Sequence, residues 1–212
     1  MSPERVLRDY FHAKDENRPH LLSNVFAHDA CLEINNRSAA IQFPSMTRGI
    51  EAIADVLVRR FNQTYENTYS FYMSRPDEED TEFSCDWLVS MSEKESQSIR
   101  VGCGRYEWTF LDDRTRLATR LLITIDQMLV LPPEAAVEVR AWLLRLSYPW
   151  TSAAIVKSTP HPSRVESVVE YLVREKGHAE AEFCPCPSRG HGMTALRVTQ
   201  PWRSKRAPVS KP

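Results

Sequence analysis

The chain has 212 residues, 42% of them hydrophobic and 26% charged, with a formal net charge of −1. This is the composition of an ordinary globular chain, long enough for one domain with an extension or for two small domains. A charge so near zero gives no electrostatic case for nucleic acid or a membrane surface as partner, and no stretch approaches the roughly 20 apolar residues of a spanning helix.

The first segment, "MSPERVLRDYFHAKDENR", is charged throughout and lacks an apolar signal core, so a cytoplasmic location is expected. The cysteines are Cys31, Cys85, Cys103, Cys184 and Cys186. Their odd number and wide scatter do not suit a disulfide framework. The first three sit in strand-like runs, where reduced, buried thiols are expected.

Taken in chain order, "SPERVLRDYFHAKD" predicts a helix. Ser2 can cap it, Pro3 fits its first position, and Val6, Leu7, Tyr10 and Phe11 form one apolar stripe. "PHLLSNVFA" reads as a second short helix and "ACLEI" as a strand. "NNRSAAIQFPSM" is a polar loop or hairpin. Thr47 is expected to cap a third helix, "RGIEAIADVLVRRFNQTY", with Ile50, Ile53, Ala54, Leu57 and Phe61 on one face. The period then changes to two. "NTYSFYM", "EFSCDWLVSM", "SIRVGCGRYEWTF" and "RLATRLLITIDQM" are four strands, separated by polar, turn-rich segments, and they imply an antiparallel meander. "PPEAAVEVRAWLLRL" and "HPSRVESVVEYLVREKG" are further helices, the second expected to stop at Gly177. Residues 177–212 are rich in proline and carry six basic residues against two acidic ones, so they read as a flexible basic tail. The expected division is 1–130, 131–176 and 177–212.

The fold class is therefore α+β, with three helices packed on a curved, mainly antiparallel sheet. "VLRDYFHAKD", then "FAHDACLEI" beginning eleven residues after Asp15, then "TRGIEAIADVL", "GRYEWTF" and "ATRLLITIDQM", resemble the SnoaL-like members of the NTF2-like superfamily over roughly residues 4–130. The resemblance implies a cone-shaped cavity between sheet and helices, and often a homodimer. The superfamily hosts isomerases, dehydratases, cyclases, epoxide hydrolases and non-catalytic binding proteins, so function must be read at the cavity.

His28 and Asp29 attract attention as a pair. Neighbours on a strand point to opposite faces, however, and an aspartate at a strand entry usually serves the turn. The resemblance to dehydratase-like members nominates Tyr10 and Asp15 instead: Asp15 as general base, Tyr10 as donor to a carbonyl oxygen. Two further groups of those members are missing. The first meander strand offers Tyr69 and Tyr72 but no histidine, and the carboxylate expected two residues after Tyr106 is Trp108, which cannot transfer a proton at neutral pH. Tyr106, Trp108 and Phe110 share a strand face with Gly102 and Gly104, an aromatic wall with room for a ligand. Trp87 lies on the apolar face of its strand, with Asp86 on the other. Arg120 is a candidate clamp for a carboxylate inside the cavity, while Asp126 closes its strand. Cys184, Cys186, His178 and His191 lack the spacing of a structural zinc site, so no metal and no cofactor is expected.

The leading expectation is a protein that binds a small, largely apolar molecule in the cone through Tyr69, Trp87, Tyr106, Trp108 and Arg120. The alternatives are a lyase or isomerase using Asp15 and Tyr10, and a dimeric interaction module with a filled cone. Trp142, Leu143, Leu146, Trp150, Val168 and Leu172 are expected to cover the cavity mouth or a dimer face.

Overall fold

The structure, a computed structural model, describes residues 1–174. Helix α1, Pro3–Asp15, begins as its sequence dictates: the Ser2 hydroxyl accepts from the Arg5 N–H at 3.3 Å, with Pro3 in the first turn. Val6, Leu7, Tyr10 and Phe11 are all buried. A 3₁₀ turn, Pro19–Asn24, buries Leu22 and leads into strand β1, Phe26–Asn36.

The loop after β1 closes a hairpin. Strand β2, Met46–Arg48, pairs antiparallel with β1. Thr47 thus belongs to a strand and does not cap the next helix. The residue before that helix is Gly49, whose φ of 83° lies in the left-handed region that a residue without Cβ adopts at no cost. Helix α2, Ile50–Ala54, continues through a π-helical stretch, Asp55–Arg60, into α3, Phe61–Thr64. Ile53, Ala54, Leu57 and Phe61 are buried as expected. The wider winding also turns Val56 and Val58 inward.

The four expected strands follow: β3, Tyr65–Tyr72; β4, Glu82–Glu93; β5, Ile99–Phe110; β6, Ala118–Leu131. They form an antiparallel meander, and β1 joins β6 in parallel. The six-stranded order is β2-β1-β6-β5-β4-β3. The expected α+β architecture is the one observed.

The sheet is covered on both faces. The inner face packs under α1, α2 and α3 and carries Leu32, Tyr72, Phe83, Trp87, Tyr106, Trp108, Leu121 and Ile123. The outer face carries Phe71, Leu88, Val101 and Cys103, and these pack with Trp142, Leu143, Leu146, Val168 and Leu172. Those residues come from helices α4, Ala136–Leu143, and α6, Glu166–Val173, and the residues that flank α4. Helix α5, Ala153–Ser158, was not legible in the sequence; it is capped by the Ser152 hydroxyl, which accepts from Ile155 N–H at 3.3 Å. The C-terminal helices therefore cover the outer sheet face rather than the cavity mouth. Trp150 is the exception: it packs in the inner core, on Phe11 and Tyr72. Gly177 and the Cys184, Cys186, His178 and His191 cluster lie outside the described residues.

Candidate functional site

Antiparallel register builds the inner wall. Phe83 faces Trp108 across β4 and β5, Cys85 faces Tyr106, and Trp87 faces Gly104. Alternation sends this set inward and Asp86 and Arg105 outward. At the closed end the rings fill the space. Trp108 stacks on Phe110, with centroids 6.0 Å apart, and on Phe26 at 5.9 Å. Tyr10 stands edge-on to Trp108 at 5.0 Å and to Tyr106 at 6.3 Å. Tyr72 lies 5.0 Å from Tyr106.

The glycines do not leave room for a ligand. A Cβ at Gly104 would collide with the Thr124 carbonyl and sit 2.8 Å from Trp87 Cζ2, and one at Gly102 would sit 2.5 Å from Met128 Cε. The space above the two glycines is taken by Trp87 and Met128. What remains is an inner cavity of about 50 Å³, walled by Tyr10, Lys14, Trp87 and Tyr106 with Met91, Leu57, Ile125 and other apolar side chains. A second pocket of about 230 Å³ lies beside it, bounded by Gln42, Val56, Arg60 and Tyr65. Ile41, Phe43 and Phe61 wall both, so these three side chains are the partition.

The cavity wall is apolar except for hydrogen-bond donors. The Trp87 indole N–H is buried with no hydrogen-bond partner among the described residues, and the equally buried Tyr10 hydroxyl has only the Tyr106 hydroxyl beside it. Burial first, and then the charge of Asp15, push the Tyr10 phenol above its ordinary value, so it stays a neutral donor. Tyr72 and Tyr106 are raised too, again chiefly by burial.

Asp15 sits at the rim of this wall, not on it. Its side chain is only 3% exposed. It pairs with Lys14 Nζ, accepts from Ser70 N–H at 3.0 Å and from the Ser70 hydroxyl at 3.1 Å, and is approached by the Tyr148 hydroxyl at 3.5 Å. Lys14 Nζ also donates to Ser70 Oγ at 2.7 Å. Ser70, on β3, thus ties that strand to Asp15 at the end of α1. The carboxylate is held by Lys14, Ser70 and Tyr148 and does not line the cavity.

Of the expected site residues, Tyr10, Trp87 and Tyr106 converge on the cavity. Trp108 lies behind them at the closed end. Tyr69 does not line the cavity: it is 41% exposed and meets Tyr148 at 6.3 Å, because β3 turns Ser70 and Tyr72 inward instead. Arg120 is on the outer face, held by Glu33 through contacts of 2.8 and 3.3 Å; its inward neighbour is Leu121. Asp86 is likewise outside, 3.6 Å from Arg105. Asp126 lies within β6 and accepts from Tyr171 at 2.5 Å and Arg37 at 2.7 Å. His28 and Asp29 are both exposed, where a register shift between Phe26 and Cys31 breaks strict alternation. Lys14, Ser70 and Tyr148 were missed. The only signal available was that Lys14 falls four residues after Tyr10, on the same helical face.

No protein-family model matches the chain, and no curated protein matches it. Solved structures do resemble it. One is a protein of ketosteroid isomerase-like fold from Catenulispora acidiphila in complex with trimethylamine: 15% identity, 58% of this chain and 85% of that one, TM-score 0.46. Another is a type 2 hexachlorocyclohexane dehydrochlorinase, 14% identical over 59% of this chain and 84% of that one, TM-score 0.48. A third is an NTF2-like superfamily protein from Salmonella enterica serovar Typhimurium, 13% identical over 58% of this chain and 88% of that one, TM-score 0.47. At such identities the likeness is one of fold.

Proposed function

We propose that the protein binds a compact, largely apolar molecule with a hydrogen-bond acceptor in the inner cavity. The observation that carries this reading is the unpartnered Trp87 N–H, with the Tyr10 hydroxyl on the same wall, where every lining side chain but Lys14, Tyr10, Trp87 and Tyr106 is apolar. A buried donor without a partner costs about 1–3 kcal/mol, which an acceptor on a ligand offsets. The volume sets the size. About 50 Å³ is far below the roughly 300 Å³ of a site for a drug-sized ligand. The occupant has a few heavy atoms, or it extends past Phe43 and Phe61 into the outer pocket.

The same small volume supports a second reading, an interaction module whose cone is filled by its own rings. Lyase or isomerase chemistry is less well supported, because Asp15 is engaged by Lys14, Ser70 and Tyr148 and does not line the cavity. Membership of the SnoaL-like family, a cytoplasmic location and a homodimer belong to the proposal as well. A twofold interface would have to avoid the part of the outer sheet face under α4 and α6.

Native mass spectrometry of freshly purified protein separates the two readings. Ligand binding leaves a retained compact molecule, and Tyr10→Phe weakens its retention about three- to ten-fold, the value of one net hydrogen bond. A bare chain, with an unfolding temperature unmoved by small acceptor-bearing compounds, favours the interaction module.

A further inference from the structure

We propose that the cavity takes a compact aldehyde or ketone and that Lys14 Nζ joins its carbonyl carbon as an imine. The inference rests on the ligand-binding reading and adds the class of ligand. Lys14 lies in the last turn of α1, and only 6% of the residue is exposed, yet it walls the inner cavity together with Tyr10, Trp87 and Tyr106. The other three groups on that wall are a phenol, an indole and a phenol, all capable of donating. No carboxylate stands there. Such a wall suits an uncharged ligand whose polar atom accepts and whose neighbouring carbon is electron-poor, which describes a carbonyl. The volume of about 50 Å³ confines it to a few heavy atoms.

The amine also has the neighbours that imine formation needs. Asp15 pairs with Lys14 Nζ, and Ser70 Oγ, 2.7 Å from Nζ and 3.1 Å from Asp15 Oδ1, bridges the two. Asp15 takes a proton from the ammonium, directly or through Ser70. The freed lone pair forms the C–N bond while the carbonyl π pair moves to oxygen, where Tyr10 and Trp87 donate. A nitrogen proton passes to that oxygen, giving a carbinolamine. The proton held on Asp15 then returns to the hydroxyl group, which leaves as water. The net change is ammonium plus carbonyl to protonated imine plus water, with the Asp15 carboxylate restored beside the iminium. No oxidant or reductant takes part.

The test uses the full chain with propanal and sodium cyanoborohydride at neutral pH, which reduces any imine to a stable propyl amine, followed by peptide mapping. Lys14 is expected to be propylated at least about ten-fold faster than Lys157 and Lys94, since the cavity holds amine and carbonyl together. The Nζ of Lys94 donates at the surface to the Asn62 carbonyl at 2.6 Å. Tyr10→Phe slows the Lys14 reaction about ten-fold, the effect of one lost donor to the developing oxygen charge, and leaves the Lys94 and Lys157 rates unchanged. Lys14→Arg, which keeps a cation beside Asp15, removes the fast site. The Trp87 indole N–H resonance, assigned with Trp87→Phe, reports cavity occupancy without reductant. If propanal moves that resonance but Lys14 is labelled no faster than Lys94, the imine is overturned and binding stands. If neither happens, both fall.

Discussion

Gly104 shows how a single residue shapes the cone. Its missing Cβ leaves space for the Trp87 ring, space that any side chain would contest while also meeting the Thr124 carbonyl. Backbone cannot yield as a flexible side chain can. Gly104→Ala is therefore expected to destabilise the protein by about 1–3 kcal/mol, the usual cost of overpacking, in urea unfolding followed by tryptophan fluorescence. Gly102→Ala should cost less, because there the nearest obstacle is the end of Met128, which can re-pack, and the Gln127 carbonyl stands farther off at 3.0 Å. Equal stability of Gly104→Ala and the parent would refute the packing account. Lys14 and Asp15 make the complementary point. In sequence they open the charged run "KDENR", which reads as an exposed helix end; in the structure α1 docks on β3 and drives both side chains against Ser70.

Among the elements, the C-terminal helices have the clearest energetic role. Phe71, Leu88 and Val101 on the outer sheet face are buried to 2% exposure or less, and the partners that cover them come from α4, α6 and their flanks. Trp142, 1% exposed and 6.2 Å from the His161 ring, is central among them. Trp142→Ala should lose about 3–5 kcal/mol, as for other large-to-small core changes. Leu144→Ala, at a position 79% exposed on the same helical run, should stay within about 0.5 kcal/mol. Chemical denaturation of both variants checks the pair, and similar losses would mean that α4 does not pack on the sheet as described. Period and caps made α1, α4 and α6 legible as helices. Their destinations were not legible, because amphipathicity says that a face is covered and not by what.

For the molecule as a whole, burial of titratable groups sets its response to alkali. Burial, with the nearby charge of Asp126, pushes the Cys103 thiol from its ordinary 9.0 up to about 12. Burial also raises the phenols of Tyr10, Tyr72, Tyr106 and Tyr171 above their ordinary 10.0. In the unfolded chain these groups ionise at ordinary values; in the folded chain they stay neutral. The stability they confer is complete below pH 9, declines from there through pH 10, and is lost as pH rises through the folded values. Unfolding temperatures measured from pH 7 to pH 11 should fall steadily above pH 9. A flat profile would contradict the burial of these groups.

The sequence by itself determined the four-stranded meander, the start of α1 and the two-fold alternation along β4, β5 and β6, but not β2 or α5. The features it determined are local: they follow from steric preferences, capping and spacing along one stretch of chain. Alternation also grouped Trp87 with the apolar set of β4 and Tyr106 with Trp108 and Phe110 on β5, while Tyr10 was nominated by the resemblance alone. Only the tertiary structure decided which of two alternating sets faces inward. In β4 both sets are buried, since helices cover both sheet faces, so polarity along the strand carried no sign. On β3 and β6 too the inward set was not encoded locally: Tyr69 and Arg120 were expected in the cavity and stand outside it, with Tyr72 and Leu121 turned inward. The same limit applies to Lys14, Ser70, Asp15 and Tyr148. They come from three separate regions of the chain, and their meeting depends on docking that no local pattern encodes.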